Sequence, residues 1–205
     1  MTVFLAEDLM MTTQLEILLD KIKILEAELI EELQKQEEVF SCQIKKRQII
    51  FEESVIIQHK QYAKQLFYYI TDAPLKHILS TPFIWSRIIP SLLMDVSISL
   101  YQGVCFPVYG IPKVKRQDYI IFDRQHLQYL NLIEKINCAY CSYINGLFAY
   151  AQEIAARTEQ FWCPIKHAKR IKGLHSRYQK FTRYGDAKTY RAHFNTIRHD
   201  FKDLE

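Results

Sequence analysis

Cys138, Cys141, Cys163 and His167 are the residues of this 205-residue chain whose types could do chemistry together. Three thiolates and one imidazole are a known tetrahedral zinc ligand set, and iron is the other metal these donors suit. Glu134, one helical turn before Cys138, adds a carboxylate. The spacing works against a single-ion site. If residues 124–161 form one helix, Cys163 ends about 33 Å from Cys141 at 1.5 Å per residue. If Asn145-Gly146 is a turn instead, Cys163 returns beside Asp123–Arg124, and Tyr150 and Glu153 become the neighbours of the cysteine pair. The other readings of Cys138-x-x-Cys141 are a half-site completed by a second chain, a thiol–disulfide pair, and small side chains that let two helices pack closely.

Cys163-Pro164 reads as a cap followed by proline, hence a helix start. There the backbone dipole favours a thiolate, and Lys166 and His167 add positive charge, which makes Cys163 the candidate reactive cysteine. The chain has no P-loop, no dinucleotide fingerprint and no local Ser/His/Asp motif, so a non-enzymatic role is expected.

These residues need elements to carry them. Asp123 reads as the cap of a helix that sets Asn131, Glu134, Cys138, Cys141 and Asn145 on one face. Before it lies the most apolar stretch, residues 82–116, with Asp95 the single charge between Ile88 and Phe106. Thr81-Pro82 reads as its helix start, Pro90 as a kink, and Pro107 and Pro112 as its end. Arg87, Ser91, Asp95, Ser99 and Gln102 recur at helical spacing and form one polar line on an apolar cylinder. That line is expected to face protein: it and the Asn131–Asn145 stripe are expected to face each other or a symmetry copy.

Residues 88–106 would reach about 28 Å as a helix, close to the ~30 Å of a bilayer core. A spanning helix, a re-entrant or in-plane helix, and the core helix of a soluble protein all fit. The bases Lys113, Lys115 and Arg116 follow directly and favour a cytoplasmic C-terminal side. Spanning would then send the charged N-terminal part outside, although Met1–Met10 has no signal-peptide character. A non-spanning arrangement removes that conflict.

The N-terminal part has no Gly or Pro through Ala73. Leu18, Leu29, Phe40, Phe51 and Tyr62 recur every eleven residues, as do Ile22, Leu33, Ile44, Val55 and Leu66. Eleven residues are close to three helical turns, so both series predict one stripe on a helix over residues 13–70. Its stripe, spanning residues 15–66, needs a partner, either a second copy or another protein's helix.

The net charge is +4, and it is unevenly spread. Residues 14–40 are mainly acidic, whereas residues 160–205 hold eleven Lys/Arg against four Asp/Glu. Lys166, Lys169, Arg170, Lys172, Arg177, Lys180 and Arg183, interleaved with Tyr and Phe, form an expected basic surface. Such a surface could meet anionic lipid or, less favoured, nucleic acid.

Leu100-Tyr-Gln-x-x-Cys-Phe-Pro-Val-Tyr-Gly-Ile-Pro-Lys-Val, Tyr129-Leu-Asn-x-Ile-Glu-Lys-x-Asn-Cys, Tyr140-Cys-Ser-Tyr and Ala156-Arg-Thr-Glu-Gln-x-Trp-Cys-Pro-Ile-Lys-His carry a resemblance over roughly residues 80–186. They resemble a group of uncharacterised bacterial predicted membrane proteins, and the resemblance implies a membrane setting without implying a reaction. The expected fold is all-α. It comprises a long coiled-coil-like helix over residues 1–73, an apolar segment suited to a membrane over 74–117, and a helical module with a basic end over 118–205. The protein is expected to be a membrane-associated scaffold or adaptor that self-associates through its N-terminal helix, with its C-terminal part at the cytoplasmic face. A soluble cytoplasmic protein is the alternative.

Overall fold

The computed structural model describes residues 17, 21, 22, 24, 25, 27–32, 35, 42–45, 48–51, 53–63, 66–169 and 171–204. The chain divides into two units, Met1–Ala63 with His126–Tyr129, and Lys64–Gln125 with Leu130–Glu205.

In the first unit the described positions from 17 to 35 are all helical. The predicted helix does not continue to residue 70. Strands β1 (Cys42–Lys45) and β2 (Gln48–Phe51) form an antiparallel hairpin in which Ile44 pairs with Ile49 and Gln43 with Ile50. Ile44 and Phe51, both members of the eleven-residue series, therefore lie on strands. The reason is local: β-branched Ile44, Ile49 and Ile50 with aromatic Phe51 favour extended backbone, and periodicity alone does not weigh that preference. Helix α1 (Glu53–Gln61) follows. Leu18, Leu33 and Phe40, on which the repeat also rests, lie outside the described residues. Within this unit the His59 ring meets Tyr129 edge-on at 5.1 Å.

The second unit is helical, with α2 (Leu66–Thr71), α3 (Leu75–Ser86), α4 (Ile88–Tyr109), α5 (Leu132–Trp162) and α6 (Ala187–Ile197). Helix α3 starts after Pro74, not at Thr81-Pro82, and Pro82 sits inside it. Residues 75–81, ahead of that expected start, are thus already helix. A break does occur between α3 and α4, at Arg87. Pro90 accounts for it, because it has no N–H for the Ser86 carbonyl and its ring crowds that group. Helix α4 runs through Pro107 and stops at Gly110, whose φ of 67° is left-handed; the Ile111 N–H closes the cap on the Phe106 carbonyl at 2.9 Å.

Helix α5 begins eight residues later than expected. Its start is a capping box: the Glu134 N–H donates to Asn131 Oδ1 at 3.0 Å, and the Asn131 N–H donates to Glu134 Oε2 at 2.9 Å. Arg124–His126 is only a 3-10 turn. The helix then runs 31 residues without a turn at Asn145-Gly146.

Helices α4 and α5 pack in parallel. Moving up both numberings together, Trp85 meets Tyr140 at 4.9 Å, Asp95 meets Tyr143, Gln102 meets Tyr150, and Tyr109 meets Phe161 at 5.0 Å. Parallel neighbours need a crossover, and here residues 110–131 supply it as a strap. It runs back along the seam, with Pro112 at Arg157, Val114 at Gln102, Arg116 at Asp95, and Tyr119 and Ile120 at Gly146. Ile111, Val114 and Ile120 of the strap join Phe106, Tyr143, Ile144, Leu147, Tyr150 and Ile154 in the core. Residues 74–117 therefore pack in one unit with 118–125 and with the described residues from 130 onward.

No helix starts at Cys163-Pro164. Residues 163–169 and 171–186 are irregular apart from a 3-10 turn at Tyr178–Lys180, and the parallel bridge of Ile165 with Thr182 ties them. Gly185 (φ 83°) then turns the chain into α6, capped by Asp186, whose Oδ1 accepts from the Thr189 N–H at 2.9 Å.

Candidate functional site

Four of the five members of the predicted polar line turn inward. Ser91 and Gln102 are buried, Asp95 and Ser99 are half-buried, and Arg87 alone is exposed. The Asp95 carboxylate accepts from Arg116 Nη2 at 2.7 Å and Nε at 3.3 Å, from the Tyr143 hydroxyl at 3.1 Å and from Ser99 Oγ at 3.4 Å. Gln102 uses both ends of its amide. Oε1 accepts from the Val114 N–H at 2.6 Å, and Nε2 donates to the Tyr150 hydroxyl at 2.8 Å and to the Val114 carbonyl at 3.3 Å. About two helical turns further along α5, Tyr101 and Thr158 share a hydroxyl contact at 3.1 Å.

The line thus faces α5 and the strap, but not the predicted counterpart. The α5 face that meets it holds Tyr143, Leu147, Tyr150 and Ile154. Cys141 and Asn145 lie on the opposite, exposed face, where Asn145 Nδ2 donates to the Cys141 carbonyl of its own helix. Asn131 and Glu134 serve the cap. The polar stripe of α5 does lie on one face, but on the side away from α4. Treating tyrosines as apolar filler hides the true partners, because their hydroxyls are what α4 meets.

The opposite half of α4 is apolar and open. Ile89, Leu92, Leu93, Val96, Leu100, Val104 and Val108 follow one another at helical spacing, and each is 50–74% exposed. Helix α3 adds Leu75, Leu79 and Phe83, 64–79% exposed. The run Leu75–Tyr109 has a mean hydropathy of 1.4 over its most apolar window, only 11% of which is buried. A water-soluble helix exposes its polar stripe; α4 buries its polar line beside Phe106 and leaves these seven apolar side chains open.

The four-ligand metal site within one chain fails on geometry. Cys141 and Cys163 stand at two positions along the same unbroken α5, about 33 Å apart by helical rise. Glu134 is occupied by the cap, and the His167 ring stacks on Tyr178 at 6.4 Å. Among the described residues no three His, Cys, Asp or Glu side chains converge as a metal site. Cys138 and Cys141 are left as helix-surface thiols. The reactive reading of Cys163 fails as well. It sits at the C-terminal end of α5, where its N–H bonds the Glu159 carbonyl at 2.8 Å. Burial, and then the Glu159 carboxylate, push its thiol pKa up.

The basic end divides into two groups. Arg177 is buried and forms a two-pronged pair with Asp203 at 2.6 and 2.9 Å; Lys180 binds Asp200 at 3.0 Å and Asp203 at 2.7 Å. These two cations are internal ties and not part of a basic surface. Lys169, Lys172 and Arg183 are exposed, Lys166 is half-buried, and Arg170 lies outside the described residues. Burial lowers the Lys166 pKa, and Arg183 lowers it further. His167, Lys169, Lys172, Gly173, Leu174 and Tyr178 line an open hollow of about 700 Å³.

Two residues outside the predicted set hold the seam together. Arg157, buried on α5, pairs with Glu153 at 2.8 Å and donates to the Pro112 carbonyl at 2.7 Å, which anchors the start of the strap. The i,i+4 spacing of Arg157 and Glu153 is the signal in the sequence. Gly146 is where the strap presses closest. A Cβ there would lie 2.9 Å from the Ile120 Cα, and nearer still to the Tyr119 carbonyl oxygen. Comparison of the chain with protein-family models, with curated proteins and with solved structures finds no match.

Proposed function

We propose that the protein is a non-enzymatic, membrane-associated helical scaffold or adaptor whose C-terminal helical unit is held at the cytoplasmic face through α3 and α4. One observation carries this reading: α4 buries its polar line and exposes its apolar half. Fully burying a Leu, Ile or Val side chain contributes about 1.5–3 kcal/mol. The seven open side chains of α4, each already partly covered, would together offer on the order of 5–10 kcal/mol on entering lipid. That is comparable to or stronger than the marginal, reversible anchoring given by a single myristoyl chain. The resemblance of residues 80–186 to bacterial predicted membrane proteins points the same way. Cell fractionation tests the reading: the protein should sediment with membranes, and recovery wholly in the soluble fraction would overturn it.

Self-association belongs to the first unit. Ile22, Leu25 and Leu29 are exposed at helical positions with heptad-like spacing and support pairing with a second copy. The pairing helix is the stretch up to residue 35, since the hairpin interrupts it. Light scattering on full-length protein with Leu25→Glu and Leu29→Glu should show loss of the oligomer.

A further inference from the structure

We infer that α3 and α4 lie in the plane of an anionic lipid surface without crossing it. This rests on the membrane reading above and adds its orientation and lipid class.

The packing of α4 argues against crossing. Val114 is bonded to Gln102 through both its N–H and its carbonyl, and Arg116 is bonded to Asp95. Gln102 and Asp95 each lie about 5 Å along the axis from the midpoint of Ile88–Tyr109. The exposed Lys113 and Lys115 therefore sit level with the middle of α4. A span centred on α4 would carry both ammonium groups to mid-depth. A span shifted towards α3 would centre on Arg87, which is also exposed. Either register puts an open cation where charge is least tolerated.

The strap adds a second objection. Because α4 and α5 are parallel, a crossing α4 would bring α5 with it, and residues 110–131 would have to cross between them. That stretch is not an α-helix, and Lys113, Lys115, Gln117 and Asp118 on it are exposed. Open, non-helical backbone does not face hydrocarbon. Lying flat, the apolar half of α4 meets acyl chains while the seam, strap and lysines stay in water.

Charge selects the lipid. Residues 72–118 hold five bases, Lys76, Arg87, Lys113, Lys115 and Arg116, against three acids, Asp72, Asp95 and Asp118, and Asp95 is bonded to Arg116. The side chains around the apolar face thus carry net positive charge, which favours anionic headgroups. The chain before Leu75 and after Tyr109 stays on one side of the bilayer.

Depth-dependent quenching tests this. Full-length protein with Trp85→Phe and Trp162→Phe receives one reporter, Ile89→Trp, Leu100→Trp or Val108→Trp. It is added to preformed phosphatidylcholine/phosphatidylglycerol vesicles holding shallow or deep quencher lipids. All three reporters should report one common, shallow depth. A deep Leu100→Trp between shallow Ile89→Trp and Val108→Trp would overturn the in-plane placement and leave the membrane reading standing. Quenching at none of the three, with the protein self-associated through this face, would overturn both and assign the face to a second copy. In the native tryptophan background, Leu93→Glu with Leu100→Glu should weaken vesicle binding by at least about tenfold. Replacing the anionic lipid with phosphatidylcholine should weaken it by about fivefold per engaged cation. Equal binding to both lipids would overturn the choice of anionic lipid.

Discussion

Gln102 uses its whole side-chain amide to hold extended backbone, as a neighbouring strand would. Its partners are the Val114 N–H and carbonyl and the Tyr150 hydroxyl. Gln102→Leu keeps the volume and strands all three in a buried seam. Each unsatisfied group costs about 1–3 kcal/mol, so the variant should lose roughly 2–4 kcal/mol and melt on the order of 5–10 °C lower. A thermal melt at neutral pH checks this, and an unchanged midpoint would mean that the strap does not depend on Gln102. That a polar line would face protein is legible from i, i+4 spacing. That tyrosines would answer it is not, because a tyrosine hides its one polar atom at the end of an apolar ring. Cys163 shows a related effect. A cysteine before proline suggests a helix start, but the capping box at Asn131 has already launched a helix long enough to make Cys163 its end. Burial and the neighbouring Glu159 raise the thiol pKa, so iodoacetamide should modify Cys163 more slowly than free cysteine at the same neutral pH; peptide mass mapping over time reads the rate.

The strap is the part of this fold least accessible from sequence. Helices announce themselves by period, and the bodies of α4 and α5 are legible that way, though their starts are not. An extended crossover between parallel helices has no period, and its order comes from contacts made by other elements. Its one visible mark is Gly146, which with Asn145 looks like a turn. The glycine serves close approach instead: the backbone at Tyr119–Ile120 rests against α5 where a side chain would stand. In a helix interior, Gly→Ala ordinarily stabilises by about 1 kcal/mol. Here the added methyl meets backbone that cannot swing aside, so Gly146→Ala should destabilise by about 1–3 kcal/mol. Urea unfolding gives the sign directly, and a stabilised variant would show that the strap does not pack against this turn. The hairpin at Cys42–Phe51 escapes a sequence reading for the opposite reason. A convincing eleven-residue period is present, and the extended preference of Ile44, Ile49 and Ile50 overrides it.

The second unit closes through its last residues. Gln160, fully buried on α5, donates to the Ile197 and Asp200 carbonyls at 2.8 Å each, and Arg177 and Lys180 converge on Asp203. The basic composition of residues 160–205 conceals this, since a count of charges does not show which cations are already paired. The pairing has a pH consequence. The Arg177 guanidinium, followed by Lys180, holds the Asp203 carboxyl well below the usual carboxylate range. A carboxyl with a depressed folded pKa adds stability above its unfolded pKa and loses it as pH falls through the folded value. The contribution is therefore present at neutral pH and declines from about pH 4 downward. Nearly half of the Asp203 side chain is exposed, so solvent screening keeps the contribution modest. Asp203→Asn should cost about 1 kcal/mol at pH 7 and remove part of the stability loss that the parent protein shows between pH 4 and pH 2. Urea unfolding of both proteins across that range decides it. If the two curves stay parallel in acid, Asp203 is not the group whose protonation loosens the C-terminal closure.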